Sequence, residues 1–384
     1  MFAATMFSPR GFVRSLVALS LATVGCATAA PATLPAAPQV RVPYVYVGGY
    51  RPEISVFRLE TSTGKLTPVG QAPAGTAPSF LAWDPSGKHL YAVDEIDAGR
   101  VLAFAIDGST GGLQPLGDTT SAGYGPAHLS VDRSGRWVLV ANYADKKSGT
   151  IAALPIGADG RLGPAADTVD YGPGSMPHMI LADPTNGFVF VPCKGGPFVA
   201  QLIFDPATGK LAPNDPDRVS TRARSGPRHI AFHPTKDIAY LINEAEMTVI
   251  VYAFDRGRGR LTELQSIGTL PMGEPLGKGF STAEIEVHPS GKFVYGSNRG
   301  HNSIVIYRVG EDGRLSMAGH ERRQINTPRH FSIDPSGTLL LVANQRGDSI
   351  TVFGIDQASG ALTPKGPPVP AGKQPSFVGT LLLP

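Results

Sequence analysis

Apolar residues along this chain come in short runs, each broken by a cluster of Gly, Pro, Asp, Asn or Ser. The clearest unit is Ser225 to Glu246, SGPRHIAFHPTKDIAYLINEAE, in which two apolar runs are joined by a turn. Pro227-Arg228-His229 heads the first run and Asn243-Glu244 ends the second. Copies of the turn stand at Asp84-Pro85-Ser86-Gly87, Asp132-Arg133-Ser134-Gly135, Asp183-Pro184-Thr185, His233-Pro234-Thr235, His288-Pro289-Ser290-Gly291 and Asp334-Pro335-Ser336-Gly337, at intervals of 48, 51, 50, 55 and 46 residues. That period belongs to propeller blades rather than to helical solenoids. A third apolar run follows each pair, as at Val249 to Phe254, and then a Gly-containing turn with a Leu-bearing fourth, as at Gly259-Arg260-Leu261. Four short strands rich in Val, Ile, Phe and Tyr make one blade. The pattern predicts an all-β fold, a β-propeller of four antiparallel strands per blade.

The termini give the number of blades. Val42 to Gln71 supplies the second, third and fourth strands of a blade without a first, and Gln374 to Pro384 supplies a first strand with nothing after it. Six whole repeats and one assembled from both ends make seven. Joining the ends removes two open sheet edges. A closed ring is a single domain, expected over residues 42–384 of the 384. Before it, Arg10 and Arg14 precede an uncharged, mostly small or apolar stretch to Ala30 that is too short to span a bilayer. Residues 1–30 are expected to be a secretory signal peptide, and 31–41, rich in Pro and Ala, a disordered tether. The protein is therefore expected to be exported, periplasmic or secreted. Leu270 to Ser281 lengthens one repeat and reads as a surface detour.

Without residues 1–40 the chain keeps 32 Lys and Arg against 31 Asp and Glu, so neither nucleic acid nor an anionic membrane surface is an expected partner. A membrane link is expected only if Cys26 is lipidated. With Cys193 as the other cysteine, no internal disulfide framework is available to the domain. Cys193 takes the slot held by Asn142, Asn243, Asn298 and Asn344 in other repeats and reads as a tolerated substitute, not a nucleophile. The expected working form is a monomer.

Because the first strand of each blade lines the axis, one repeat position forms a ring. Five residues before each turn residue stand Ser79, Ala127, His178, Arg228, Ala283 and Arg329, with Ser376 from the closing strand. The next position gives Phe80, His128, Met179, His229, Glu284, His330 and Phe377. Just past the second strand stand Glu95, Tyr143, Lys194, Glu244, Arg299 and Gln345. Arg228 and Glu244 should lie side by side, with Arg299 approaching from the next blade, and alternation along the strand should send His178 where Arg228 and Arg329 point. The repeating His128, His229 and His330 are expected to be struts bonded to backbone.

Arginine binds carboxylate or phosphate in bidentate fashion, so the cluster calls for a small anionic ligand, a lactone or a dicarboxylate. Positive neighbours should keep His178 neutral and Glu244 ionised, both able to take a proton. Arg beside a carbonyl, with such a base, suits ester or lactone hydrolysis. The expected catalytic residues are His178, Glu244, Arg228 and Arg299, and the expected substrate contacts are Arg329, Lys194, His229 and His301. No metal is expected in so cationic a ring.

The motifs Met176-Pro177-His178, Gly226-Pro227-Arg228-His229, Asn243-Glu244, Ser281-Thr282-Ala283-Glu284, Ser297-Asn298-Arg299-Gly300-His301 and Pro328-Arg329-His330 resemble those of the seven-bladed β-propeller lactonase family. That family includes propeller-type 6-phosphogluconolactonases and carboxymuconate lactonising enzymes. The resemblance runs over nearly all of 42–384 and implies a cofactor-independent site of His178, Arg228, Glu244 and Arg299. It implies lactone hydrolysis, with muconate-type lactonisation or a non-catalytic anion-binding propeller as alternatives. Where many members carry His-Pro-His, this chain has Met176-Pro177-His178.

Overall fold

The structure, a computed structural model, describes residues 16, 18 and 41–383. The expected export signal and tether lie almost wholly outside these residues. Among them stand seven antiparallel sheets, each running from an inner to an outer strand. The blade of the clearest sequence unit is Pro227–Phe232, Ile238–Asn243, Thr248–Asp255 and Arg260–Gly268. Pro375–Leu383 pairs antiparallel with Val42–Gly49, followed by Glu53–Glu60 and Lys65–Pro73, so one blade is made from both termini. The fold is a seven-bladed β-propeller closed by its C-terminal strand.

The second strands read as unbroken apolar runs because both of their faces are covered. Every residue of Trp137–Asn142, Ile238–Asn243 and Leu339–Asn344 is buried. The cover comes from neighbouring blades: Ile238, Tyr240, Ile242, Val249 and Val251 pack with Ile285, Val294, Val305 and Tyr307 of the next sheet. Outer strands such as Lys210–Ser220 keep mostly exposed positions, as an edge facing water must.

Repeated polar ties fix one blade against the next. The hydroxyls of Tyr46, Tyr91, Tyr240 and Tyr295 donate to the carbonyls of Gly111, Gly160, Gly313 and Gly360, in the outer turn of the following blade, at 2.9–3.1 Å. The turn acids explain their recurrence: Asp132 Oδ1 accepts the N–H groups of Arg136 and Trp137, and Asp334 Oδ1 those of Thr338 and Leu339. His233 and His288 cap the same turn through Nδ1, while Nε2 lies 3.0 and 2.7 Å from the Gly291 and Gly337 carbonyls of the next blade. At the other end of the second strand, Asn142 donates to the Ser121 carbonyl and Asn298 to that of Thr269, tying down the loop that leads into an inner strand.

The inner strands depart from simple alternation. Pairing shifts register between Pro126 and His128, Pro227 and His229, and Pro328 and His330, so Ala127, Arg228 and Arg329 are bulged residues. A β-bulge re-aims a side chain that alternation would send to the opposite face. Consecutive residues such as Arg228 and His229 therefore both turn to the axis.

Gly259 tests the blade-to-blade fit. Its φ is +62°, and a Cβ would stand 2.1 Å from the Phe188 ring of the preceding blade. Gly259→Ala is expected to cost roughly 2–4 kcal/mol from left-handed backbone and overpacking. Urea unfolding measures this, with Gly257→Ala, whose Cβ would meet nothing nearer than 3.5 Å, as the neutral comparison.

Candidate functional site

The bulged residues and the residue after each second strand meet at one end of the axis. Ser79, Glu95, Ala127, His178, Arg228, Arg329 and Ser376 line a narrow hollow of about 10 Å³ there. Its floor is closed by the next ring: Phe80 lies 4.2 Å from His128, 5.3 Å from His330 and 4.8 Å from Phe377 between ring centroids. A ligand of sugar size would sit across the mouth, above the hollow.

One arc of the mouth runs unbroken through four blades. Tyr143 Oη accepts from Lys194 Nζ at 3.0 Å, and Lys194 Nζ lies 2.8 Å from Glu244 Oε1. Glu244 also meets Arg228 Nε at 3.1 Å and Arg299 Nη2 at 3.2 Å. Three cations around one carboxylate leave two positive charges in excess. Arg228 is 3% exposed, while Lys194, Glu244 and Arg299 are half-buried and reach the mouth. Burial acts to raise the Glu244 carboxyl, but Arg299, Arg228 and Lys194 outweigh it and hold the pKa at about 2. Burial and Arg299 lower the Arg228 guanidinium.

The opposite arc is Arg329, whose Nη2 donates to Tyr50 Oη at 2.8 Å, and Tyr50, which donates to Glu95 Oε2 at 3.0 Å. Tyr50 is a site residue that the repeat pattern does not mark, since it stands beside Gly48-Gly49, which reads as a turn. It follows Gly49 as Glu244 follows Asn243, so carrying the third ring into the blade made from both termini would have found it.

His178 stands between the arcs, its ring 5.4 Å from Tyr143 and 5.2 Å from His229. Burial, then Arg228, holds it well below the ordinary histidine pKa of 6.5, so it is neutral. Its Nδ1 has no hydrogen-bond partner among the described residues. The structure thus gathers His178, Arg228, Glu244, Arg299, Arg329 and Lys194. His229 lies one layer deeper, against Glu284 at 2.9 Å.

Two expectations are corrected. His301, expected at the substrate, lies apart: Nε2 is 3.2 Å from Glu274, Nδ1 is 2.7 Å from Ser303 Oγ, and its ring meets Phe280 edge-on. Beyond Gly300, at φ +80°, it no longer follows the strand direction that aims Arg299, and it anchors the inserted loop instead. His229, expected to be a backbone strut, lies against Glu284 of the next blade instead, whereas His128 and His330 accept the Ile180 and Val378 N–H groups as expected. Cys193 behaves as expected, buried among apolar groups that push its thiol pKa up.

Four axial histidines, His128, His178, His229 and His330, are held below 6.5, chiefly by burial. The unfolded chain therefore binds more protons at these sites as pH falls, so stability is full above pH 6.5 and declines below it. Glu284 and Glu286, raised by burial, act the other way and offset part of this loss. The urea midpoint is expected to fall between pH 7 and 5, and an unchanged midpoint would contradict neutral axial histidines.

Known proteins carry the same framework. Residues 44–379 match the family model described as lactonase, 7-bladed beta-propeller. The chain is 35% identical over 334 residues to a 6-phosphogluconolactonase of Pectobacterium carotovorum, covering 86% of this chain and 96% of that protein. It is 34% identical over 332 residues to one of Serratia proteamaculans, covering 86% and 96%. Among solved structures, the periplasmic gluconolactonase of Pseudomonas aeruginosa superposes with a TM-score of 0.83 at 28% identity, over 89% of this chain and 100% of that one. The chain belongs to the seven-bladed β-propeller lactonase family.

Proposed function

We propose that this protein is an exported lactonase that hydrolyses a small sugar lactone carrying a negative charge or several hydroxyls. The observation that carries this reading is the meeting of Arg228, Arg299 and neutral His178 at one mouth. Relatives named for gluconolactone and 6-phosphogluconolactone support the substrate class. The apolar stretch after Arg14, and a structural relative named as periplasmic, support export, which would favour unphosphorylated aldonolactones over cytosolic sugar phosphates.

The chemistry divides among the residues by charge. Arg228 and Arg299 hold the anionic or oxygen-rich part of the lactone and stabilise negative charge developing on the carbonyl oxygen. Water adds to the carbonyl carbon as His178 takes its proton, and the ring C–O bond then breaks, with the proton passing to the departing oxygen. Glu244 is a poor base at a pKa of about 2 and serves to hold Lys194, Arg228 and Arg299 in place. Arg329, oriented by Tyr50, faces the sugar from the other side. Lactonisation of a muconate-type diacid would use the same groups in reverse, and the relatives' names favour the opening direction.

Arg228→Ala is expected to lower kcat/KM on gluconolactone and related aldonolactones by about 10²–10³-fold, the usual loss on removing one oxyanion-stabilising donor. A pH-stat assay decides it, and wild-type rates equal to buffer on 6-phosphogluconolactone and every aldonolactone would remove the lactonase reading. Because His178 is held well below 6.5, kcat/KM corrected for spontaneous hydrolysis is expected to stay level from pH 8 to 6.5. A fall by half at 6.5 would mean an ordinary, unperturbed histidine.

A further inference from the structure

Beneath His178 lies a set of polar groups that the proposed reaction does not itself call on. His229 is 1% exposed, and its Nδ1 lies 2.9 Å from both oxygens of Glu284. His330 Nε2 lies 3.2 Å from Glu284 Oε2, while its Nδ1 accepts the Val378 N–H at 3.4 Å. With Nδ1 accepting, neutral His330 carries its proton on Nε2, the nitrogen that faces Glu284. The Ile285 N–H donates to Glu284 Oε1 at 3.0 Å as well. A carboxylate so surrounded takes the Nδ1–H of His229 and leaves His229 Nε2 as an acceptor.

That Nε2 has no partner among the described residues, and neither has Nδ1 of His178. The two rings are 5.2 Å apart, and both line the axial hollow. Ser79 Oγ lines it too and is likewise without a partner among the described residues. The space left between these groups accommodates about one water, which needs two to four polar partners to settle in a protein interior.

We propose that a single buried water in this hollow joins His178 Nδ1–H to His229 Nε2, so that Glu284, His229 and the water fix His178 with its Nε2 lone pair turned to the mouth. The proposal rests on the lactonase reading and deepens it by saying what makes His178 a base. During the reaction His178 Nε2 takes the proton of the attacking water while its oxygen bonds to the carbonyl carbon. The ring C–O bond breaks, and the departing oxygen receives that proton. Every other N–H keeps its hydrogen, and the chain of hydrogen bonds stabilises the transient imidazolium. His229 and Glu284 touch no reacting atom and are positioning residues. A protonated Glu284 would donate to His229 Nδ1 and reverse each bond in turn, leaving the His178 proton on Nε2 and no lone pair at the mouth.

Long-range ¹H–¹⁵N NMR of protein labelled at histidine reads the tautomer directly, with the His178 signals assigned by their loss in His178→Gln. The expected result is His178 protonated on Nδ1, and a proton on Nε2 overturns the proposal. Glu284→Gln, whose amide donates where the carboxylate accepted, is expected to lower kcat by about 10²–10⁴-fold. KM and the calorimetric affinity for gluconate are expected to stay within about twofold, as a loss confined to the transition state requires. An unchanged kcat overturns the proposal. If Glu284→Gln fails to fold, the wild-type tautomer decides alone. If the wild type opens no lactone, the lactonase reading fails while the tautomer still decides the relay.

Discussion

A four-stranded blade has two apolar faces and cannot cover either of them itself. Each face must lie against another blade, and the last must find the first, so the constraint is satisfied only by a closed ring. The pairing of Val45 with Thr380 and of Val47 with Val378 closes it across more than three hundred residues of sequence. Tyrosine hydroxyls reaching the outer turns of the next blade add a direction to packing that is otherwise nonspecific. Because of this ring, residues from seven distant repeats point at one axis.

The axial site is governed by mutual neutralisation. Burying Arg228 beside Arg299 and Lys194 would be untenable without Glu244, and burying Glu244 would be equally so without them. The surplus left after their mutual pairing is positive and faces the mouth, the charge that the proposed anionic substrate or oxyanion would balance. The same field, with burial, strips the proton from His178. The positive surplus at the mouth and the neutral imidazole beside it are thus two results of one arrangement. On the opposite side, Arg329 is held by Tyr50 and Glu95 instead of by a direct ion pair, which leaves its charge less neutralised.

Much of this was legible because the repeat converts sequence position into place. Arg228, Glu244, Arg299, His178 and Arg329 could be picked by counting from a turn, and the turn itself is marked by an Asp or His that caps backbone N–H groups. Tyr50 was missed for a related reason: it sits in the blade split between the termini, where no preceding turn exists to count from. His301 misled because a shared motif places residues along the chain, whereas Gly300, in the left-handed region, had already turned the chain away from the axis. The bulges at Ala127, Arg228 and Arg329 defeated simple alternation, since one extra residue rotates the remainder of its strand.

The sequence alone determined the all-β blades, their number and the closure, because hydrophobic periodicity and turn residues act locally and recur. It also indicated most of the side chains gathered at the axial mouth, since these occupy counted repeat positions, Tyr50 being the one it missed. Tertiary structure alone decided the partners: that three cations share Glu244, that Tyr50 braces Arg329, and that Glu284 lies against both His229 and His330. Hydrogen bonds and ion pairs depend on ångström distances between side chains on different blades, and no spacing within one repeat encodes them.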